Sequence, residues 1–367
     1  MPTDLDRLLT ESLHERARAG SPIDPAAIMQ VAAANGRRIR TRRRLATVVL
    51  AAAAVAGILV TGTLTPRRSD SNTPTPPDPR PTGSPEVTGN LGRLPDAVGQ
   101  QGAGQRPDLV GTDPGVLHFS MDDLATDAAS ARSISKSGYE VSSVYGPDVR
   151  MLVTLTHTKK TFPLPDSMIK DLGAEMSEPV AGTVDGLPGT VSSSQDLGDG
   201  YRLFSVTWRP AGDLWANAEV QAVTADRALE LVQKIRFDRV KRCATPFTIG
   251  QLPPGAALLS CEVDLQANRD GGGIFMFASL LIGDAKRRLE ITGMDDLVNA
   301  GDYPRHLKAG PYRAEADPDG KTWTMLVKPV LFAAITRASK PPYTQKQVLD
   351  VLGSITMATG YNDPSTW

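Results

Sequence analysis

Cysteine and histidine are scarce in this sequence of 367 residues, which has two cysteines and four histidines. Cys243 and Cys261 are too far apart for the C-x-x-C arrangement that redox catalysis usually employs. No second ligand stands at metal-binding spacing from His118, His157 or His306. The sequence therefore predicts no metal site and no cofactor site.

A complete catalytic motif is also missing. Ser133 to Lys136 fits the Ser-x-x-Lys pattern, in which a lysine activates a serine nucleophile, but that chemistry also needs Ser-Asp-Asn and Lys-Thr-Gly elements. No Ser-Asp-Asn follows, and Trp323 stands where the glycine of the third element must leave room for substrate. We expect no catalytic residue and a non-enzymatic protein.

The chain has no large excess of positive or negative charge, since the formal net charge is -1. A near-neutral chain has no whole-protein field that attracts nucleic acid, so we expect no nucleic-acid partner. Aromatic residues make up only 5% of the chain. The region after Pro107 nevertheless has enough Val, Leu, Ile, Phe and Trp to bury real cores.

One long apolar run is present, from Leu45 to Thr65. As a helix it is roughly 31 Å long, which matches the hydrocarbon core of a bilayer. The excess of positive charge before it predicts a single-pass protein of the cell membrane, with a cytoplasmic amino terminus and an extracellular region after Pro66. The preceding arginines are Arg37, Arg38, Arg40, Arg42, Arg43 and Arg44.

Two other interpretations of this run are open. Thr41 to Leu45 looks like a twin-arginine export signal, and Ala54 to Ala56 has the small-x-small form of a cleavage site, which would remove residues 1–56. The run could also be an internal core helix. An uncleaved anchor is favoured because more than forty residues precede the run, whereas ordinary signal peptides total about 15 to 30.

The predicted cytoplasmic tail, residues 1–44, has the pattern of two short helices. Thr3 and Asp6 form a capping box, and a second helix starts at Asp24 with Pro25 in its first position. So short a tail cannot bury its own leucines. One possibility is that the tail lies on the membrane surface or is loosely ordered. The other is that it binds a cytoplasmic partner through one helix face. The face would consist of Leu5, Leu8, Leu9 and Leu13.

This arrangement, DLDRLLTESLHERA followed by a second helix, an arginine cluster, one membrane span, a Pro-rich spacer and an outer domain, resembles a family of uncharacterised actinobacterial single-pass membrane proteins, some of them anti-sigma-like. The resemblance implies a regulator such as a sigma factor as the partner of the tail. The zinc-type anti-sigma factors carry His-x-x-x-Cys-x-x-Cys, whereas here Arg18 and Ser21 stand where the cysteines would follow His14. The resemblance therefore implies a tail without the zinc motif.

Residues 66–113 are rich in proline, with Thr, Ser, Gly and Asp between the prolines. Such a composition cannot bury enough apolar surface to offset the entropy of ordering it. The sequence predicts a disordered, extended linker that is either a passive tether or a partner-binding stalk.

The remainder predicts an α+β region of two tandem, mostly antiparallel sheet modules, each ending in a helix, at 114–242 and 243–360. Alternating apolar residues predict the strands, as in Tyr139 to Tyr145. The segments 223–237 and 343–357 align at a spacing of 120 residues, so that Thr224 meets Thr344. Chance similarity between two capped helices is the alternative.

Cys243 and Cys261 lie in the predicted extracellular region, where disulfides persist. Their even number favours a structural disulfide over two free thiols. A bridge would stabilise the fold by about 3 kcal/mol in the chain-entropy model.

The run from Gly273 to Gly283 is apolar on both faces of a strand. It predicts a central strand covered on both sides, and the alternative is a strand with one face lining a site for an acyl chain. In the second case polar substitution of Phe275, Phe277 or Leu281 would impair function.

The sequence thus favours a non-enzymatic envelope sensor or regulator. Its outer region would bind an envelope protein or lipid, and its tail a cytoplasmic regulator. The alternative is a membrane-tethered extracytoplasmic carrier of lipid or another hydrophobic ligand.

Overall fold

The computed structural model describes residues 91, 93–125, 128–162, 164, 167–268, 273–295, 306–318, 320–327, 330–336 and 342–367. Within these ranges no helix is long and apolar enough to cross a bilayer. The predicted tail at 1–44, the predicted membrane helix at 45–65 and the predicted linker up to residue 90 lie outside the described residues.

Antiparallel strands dominate the described residues. Two short pairs stand apart from the main sheet: β1 (Val116–Leu117) pairs with β9 (Lys241–Arg242), and β10 (Phe247–Ile249) pairs with β18 (Ile355–Met357). The strands of the main sheet come from two separate stretches of the chain. The first group is β2 (Ser130–Lys136), β3 (Tyr139–Tyr145), β4 (Arg150–Thr156), β5 (Val180–Val184), β6 (Leu187–Ser193), β7 (Arg202–Ala211) and β8 (Leu214–Ala222). The second group is β11 (Ala257–Asn268), β12 (Gly273–Gly283), β13 (Arg288–Asp295), β14 (Leu307–Ala309), β15 (Tyr312–Ala316), β16 (Thr322–Val327) and β17 (Val330–Thr336).

The two groups form the halves of one continuous 14-stranded sheet among the described residues, in the order β14-β15-β16-β17-β13-β12-β11-β2-β3-β4-β8-β7-β6-β5. Counted outward from the central pair β2 and β11, both halves have the same order of strands: first, second, third, seventh, sixth, fifth and fourth. The predicted α+β class with a mostly antiparallel sheet is confirmed. The domain boundaries at 113/114 and 242/243 stay a prediction.

Four α-helices lie within the described residues: α1 (Asp122–Ala125), α2 (Met168–Leu172), α3 (Ala225–Val232) and α4 (Gln345–Gly353). α3 and α4 each follow the last strand of their half. The hydroxyls of Thr224 and Thr344 cap them by accepting from the backbone N–H three residues on, as predicted. Their buried positions are also 120 residues apart: Ala228, Leu231 and Val232 in α3, and Val348, Val351 and Leu352 in α4.

The sheet has two unlike faces. The inner face packs against α3 and α4 in one continuous hydrophobic core, which includes Val153, Val263 and Phe332. The outer face of the first half has a second, smaller core, where Leu164 and Met168 of α2 cover Val141, Leu152 and Leu203. Strands with two covered faces need apolar residues on both, which explains the near-continuous apolar runs in β4.

The predicted disorder of the linker is wrong for its last part. Leu91, Ala103 and Val110 are each at most 1% exposed and belong to the inner core. The backbone is held as well, since Ala103 N–H donates to the His118 carbonyl. Local composition suggested disorder, but contacts distant in sequence order this segment.

Glu140 of β3 makes three of these distant contacts. Its carboxyl group is fully buried and accepts from the backbone N–H of Gly111 at 2.9 Å and of His118 at 2.6 Å. It also lies 2.6 Å from Nδ1 of the buried His118 ring. One side chain therefore fixes two points of the segment that precedes the main sheet.

Lys241 holds the same segment from β9. Its ammonium donates to the Leu94 carbonyl at 3.1 Å and pairs with the carboxylates of Asp96 and Asp122. The hydrogen bond from Lys241 lowers the pKa of Asp96. Since the Lys241 side chain is only 9% exposed, these partners compensate for the loss of its hydration.

The predicted disulfide between Cys243 and Cys261 is confirmed, with an S–S distance of 2.09 Å. It joins the segment between the halves to β11 at the centre of the sheet. Cys243 N–H also donates to the Gly115 carbonyl, so the bridge lies beside the ordered segment before the sheet.

Three local features complete the described fold. Ser167 caps α2, since its hydroxyl accepts from Lys170 N–H. β5 and β6 are joined by the two-residue turn Asp185-Gly186, where both residues have positive φ, as a type I′ hairpin requires. Asp295 ends β13, where burial raises the pKa of its carboxyl.

Candidate binding surface on the second half of the sheet

β12 confirms the predicted strand and shows what lies on each of its faces. Its inner-face residues Met276, Ala278 and Ile282 are at most 1% exposed and belong to the core. The residues between them, Phe275, Phe277 and Leu281, point to the outer face and are only half-buried. The strand therefore has one fully covered apolar face and one partly uncovered apolar face.

Neighbouring strands continue this outer surface. Phe277 lies opposite Met294 of β13, Met294 opposite Leu331 of β17, and Leu331 opposite Leu326 of β16, which gives an apolar row across four strands. We define the apolar face by Phe275, Phe277, Leu281, Met294, Leu326, Leu331 and Ile335. Within the described ranges none of these side chains belongs to a hydrophobic core cluster.

The equivalent surface of the first half is covered. There, residues 157–179 connect β4 to β5 and supply Leu164 and α2, which pack on Val141, Leu152 and Leu203. In the second half the equivalent connection, between β13 and β14, spans only 296–306. The repeat thus shows what a covered outer face looks like, and the equivalent connection is shorter in the second half.

A polar groove adjoins the apolar face on the side of the sheet centre. Its volume is about 260 Å³, and its lining residues are Ser260, Glu262, Ser279, Leu281, Arg288 and Glu290. Leu281 belongs to both surfaces, so the groove and the apolar face are continuous.

Two carboxyl groups in the groove are hydrogen-bond acceptors. Ser279 Oγ donates to Glu290 Oε1 at 3.1 Å, and Arg132 Nε donates to Glu262 Oε1 at 2.8 Å. A carboxylate offers about four acceptor sites, so one carboxyl group can accept from more than one donor. A hydroxyl or ammonium group placed in the groove could therefore donate to them while an attached hydrocarbon lay on the apolar face.

A smaller cavity on the inner face is less suited to a ligand. It lies between Phe119, Val263 and the Lys241–Asp122 ion pair, and its volume is about 50 Å³. That is room for a few water molecules, far below the roughly 300 Å³ of a small-molecule site.

The remaining candidates from the sequence do not come together. Ser133 and Lys136 are three residues apart on β2, so they point to opposite faces of the sheet, and Lys136 instead lies over the Tyr139 ring. His118 is buried, and its Nδ1 lies 2.6 Å from Oε1 of Glu140. The described residues contain no group of three His, Cys, Asp or Glu side chains placed to hold a metal. The tail residues Leu5, Leu8, Leu9 and Leu13 lie outside the described ranges.

Sequence reasoning found the β12 residues of this surface but missed Met294, Leu331 and Ile335. Each of them alternates with a buried inner-face residue in β13 or β17, so the period-2 pattern was present. What the pattern could not show is that the three strands are neighbours, because strand order is set by contacts distant in sequence.

No protein-family model and no curated protein matches this chain. Among solved structures, MucB in complex with MucA(peri) aligns with 62% of this chain and 92% of its own, at 12% identity and a TM-score of 0.19. MucB alone aligns with 63% of this chain and 92% of its own, at 12% identity and a TM-score of 0.17. Alignments this loose carry no argument about fold, ligand or partner.

Proposed function

We propose that this chain is a non-enzymatic, membrane-anchored envelope sensor whose outer region binds an amphiphilic ligand. The observation that carries the proposal is the apolar face continuous with a polar groove. The ligand's hydrocarbon would contact Phe277, Met294 and Leu331, and its hydrogen-bond donors would reach Glu262 and Glu290. The apolar run at 45–65 and the leucine pattern of the tail supply the anchor and the cytoplasmic partner site of the proposal.

The partial exposure of the apolar face is consistent with this ligand class. Side chains that are half-buried in the free protein have apolar area left to remove from water, at about 25 cal/mol per Å². A contiguous apolar surface with a polar rim is the usual appearance of a ligand or partner site. Scattered exposed leucines would carry no such meaning.

Substitution of the apolar face tests the ligand site. We expect Phe277→Asp and Leu281→Asp each to reduce crosslinking of a diazirine-bearing long-chain amino alcohol at least tenfold, because a carboxylate on this face opposes hydrocarbon burial. The full chain is irradiated with the probe in native membranes, and the labelled protein is quantified by gel fluorescence.

The matched control is Leu252→Asp, which makes the same change at a leucine that is 39% exposed and outside the apolar face. It is expected to label like the wild type. Equal labelling of Leu281→Asp and Leu252→Asp would rule out the ligand site.

The carrier alternative shares the ligand site and differs in the tail. A sensor needs the tail to bind a partner, so Leu9→Asp plus Leu13→Asp should abolish crosslinked recovery of a sigma factor or other regulator by residues 1–44. Arg7→Asp, on the opposite face of the predicted helix, is the control and should leave recovery unchanged. Loss of function with apolar-face variants but not with tail variants would favour the carrier.

A further inference from the structure

Among the described residues the main sheet ends at β5, a strand without the charged side chains or proline that usually protect an edge. β5 pairs with β6 on one side and is the last strand in the order of the sheet. Its sequence, VAGTV, contains no charge and no proline. Natural edge strands are commonly blunted by lysine, proline, bulges or extreme shortness.

The opposite edge of the sheet provides an internal comparison. β14 has three residues, and the central one is Lys308. It is thus both short and charged, as a protected edge is expected to be. The contrast makes β5 the open edge of the two.

Exposed apolar side chains concentrate around β5. Seven large hydrophobic side chains of the described residues are exposed, and four of them fall between residues 172 and 201. Val180 in β5 is 67% exposed and Leu187 in β6 is 38% exposed. Leu172 and Tyr201 complete the four. A strand added to β5 would lie beside Val180 and close to Leu187 of the neighbouring strand.

The charged residues in the sequence around β5 are all acidic. Residues 171–201 contain six acidic residues and no Lys, Arg or His, although the whole chain has a net charge of only -1. The acids are Asp171, Glu175, Glu178, Asp185, Asp196 and Asp199. Glu178 precedes β5 and Asp185 follows it, so both ends of the open edge are acidic.

We propose that the β5 edge binds a partner protein by strand addition, and that the partner supplies an extended segment with basic residues on both sides of an apolar, β-branched centre. Main-chain hydrogen bonds to the free edge would give affinity, and the acidic ends would give selectivity. β5 spans five residues, so the partner's basic groups flank a centre of about five residues.

The negative charge around β5 disfavours three other binding partners of this edge: anionic lipid, nucleic acid and a second copy of this chain. Anionic lipid and nucleic acid would be repelled by the acidic segment. A second copy of this chain, added antiparallel, would place Glu178 beside Asp185 of its partner, and like charges at this distance are unfavourable. A basic partner strand is the occupant for which edge and charge agree.

The test uses fluorescein-labelled peptides and the full chain in detergent micelles. The probe has a Val-Thr-Val-Thr-Val centre with two lysines at each end. One comparison peptide has glutamates at the ends, and another keeps the lysines but has proline in place of the central valine. We expect the lysine-flanked probe to bind at least tenfold more tightly than either, as measured by fluorescence anisotropy.

Matched variants locate the site. Ala181 of β5 lies opposite Thr190 of β6 on the same face of the hairpin. Ala181→Lys charges the open edge, whereas Thr190→Lys adds the same charge one strand inward, so only the first should weaken the probe tenfold or more. Glu175→Lys plus Glu178→Lys should reduce the preference for lysine over glutamate ends. Circular dichroism checks that each variant is folded.

Four results would overturn the proposal. The first is no binding of the probe, and the second is equal binding of the proline-containing peptide, which would indicate charge attraction without strand addition. The third is equal effects of Ala181→Lys and Thr190→Lys. The fourth is self-association in sedimentation velocity that Ala181→Lys abolishes, which would make a second copy the occupant.

Discussion

Glu140→Ala is expected to lower the free energy of unfolding by about 3 to 5 kcal/mol, the usual result of removing one partner from a buried, hydrogen-bonded cluster. Two backbone N–H groups, of Gly111 and His118, lose their acceptor, and so does the His118 ring. All lie where water cannot replace the carboxyl group without opening the fold. Urea denaturation of the full chain, followed by tryptophan fluorescence, measures the change.

The loss should also be local. Because Glu140 holds the segment before the main sheet, amide hydrogen exchange should accelerate between residues 102 and 119 before it accelerates in β7 or β8. Glu178→Ala removes an exposed acid from the same half and is the control, with an expected change within about 0.5 kcal/mol. Similar losses for the two variants would mean that Glu140 does not hold the segment.

Local patterns in the sequence identified the elements of this fold well. β3 runs from Tyr139 to Tyr145, as the alternation predicts, because Tyr139, Val141 and Tyr145 lie on one face of the strand and pack in the outer-face core. Thr224 and Thr344 cap their helices because a hydroxyl at that position satisfies a backbone N–H that the helix leaves free. Such signals need only a few neighbouring residues.

Long-range features were not accessible in the same way. The segment at 93–113 has the composition of a linker and is ordered by Glu140 and Lys241, which are distant in sequence. A spacing of 120 residues is right for the two helices but wrong for the strands before them: it aligns buried Phe204 with Thr324, whereas the inner-face residue of β16 there is Trp323. A slip of one residue exchanges the two faces of a strand.

The candidate binding surface also has a part that local patterns predict and a part that only long-range contacts determine. Phe275, Phe277 and Leu281 could be predicted to share a strand face from alternation alone. That this face continues through Met294 and Leu331 depends on the order β12, β13, β17, in which β17 is joined to β13 only after three intervening strands. That the equivalent surface of the first half is covered depends further on contacts that α2 makes with strands distant in sequence.

Glu219→Gln is expected to remove a pH dependence of stability between pH 4.5 and 7. Glu219 of β8 lies under α2, is 1% exposed and accepts from Ile169 N–H at 3.1 Å. Burial raises the pKa of this carboxyl to about 7 from an ordinary value of 4.5. The backbone N–H groups of Ile169 and Met168 and the nearby Lys170 oppose the rise, while Asp171 adds to it.

The direction follows from proton counting. Between pH 4.5 and 7 the folded protein keeps the Glu219 proton while the unfolded chain has released it, so stability falls as pH rises through this window and is constant beyond it. The full contribution is about 3 kcal/mol for a rise of this size. Glutamine stays neutral and can still accept one N–H bond, so the variant should unfold with less dependence on pH and be the more stable protein at pH 8.

Urea denaturation at pH 5 and at pH 8 separates this effect from a general loss of packing. Glu219→Gln should differ little from the wild type at pH 5, where both side chains are neutral, and should exceed it at pH 8. Glu178→Gln, an exposed acid, should follow the wild type at both values. A Glu219→Gln variant that is equally destabilised at pH 5 and pH 8 would show that the ionised carboxylate is tolerated under α2, and that its hydrogen bonds outweigh its burial.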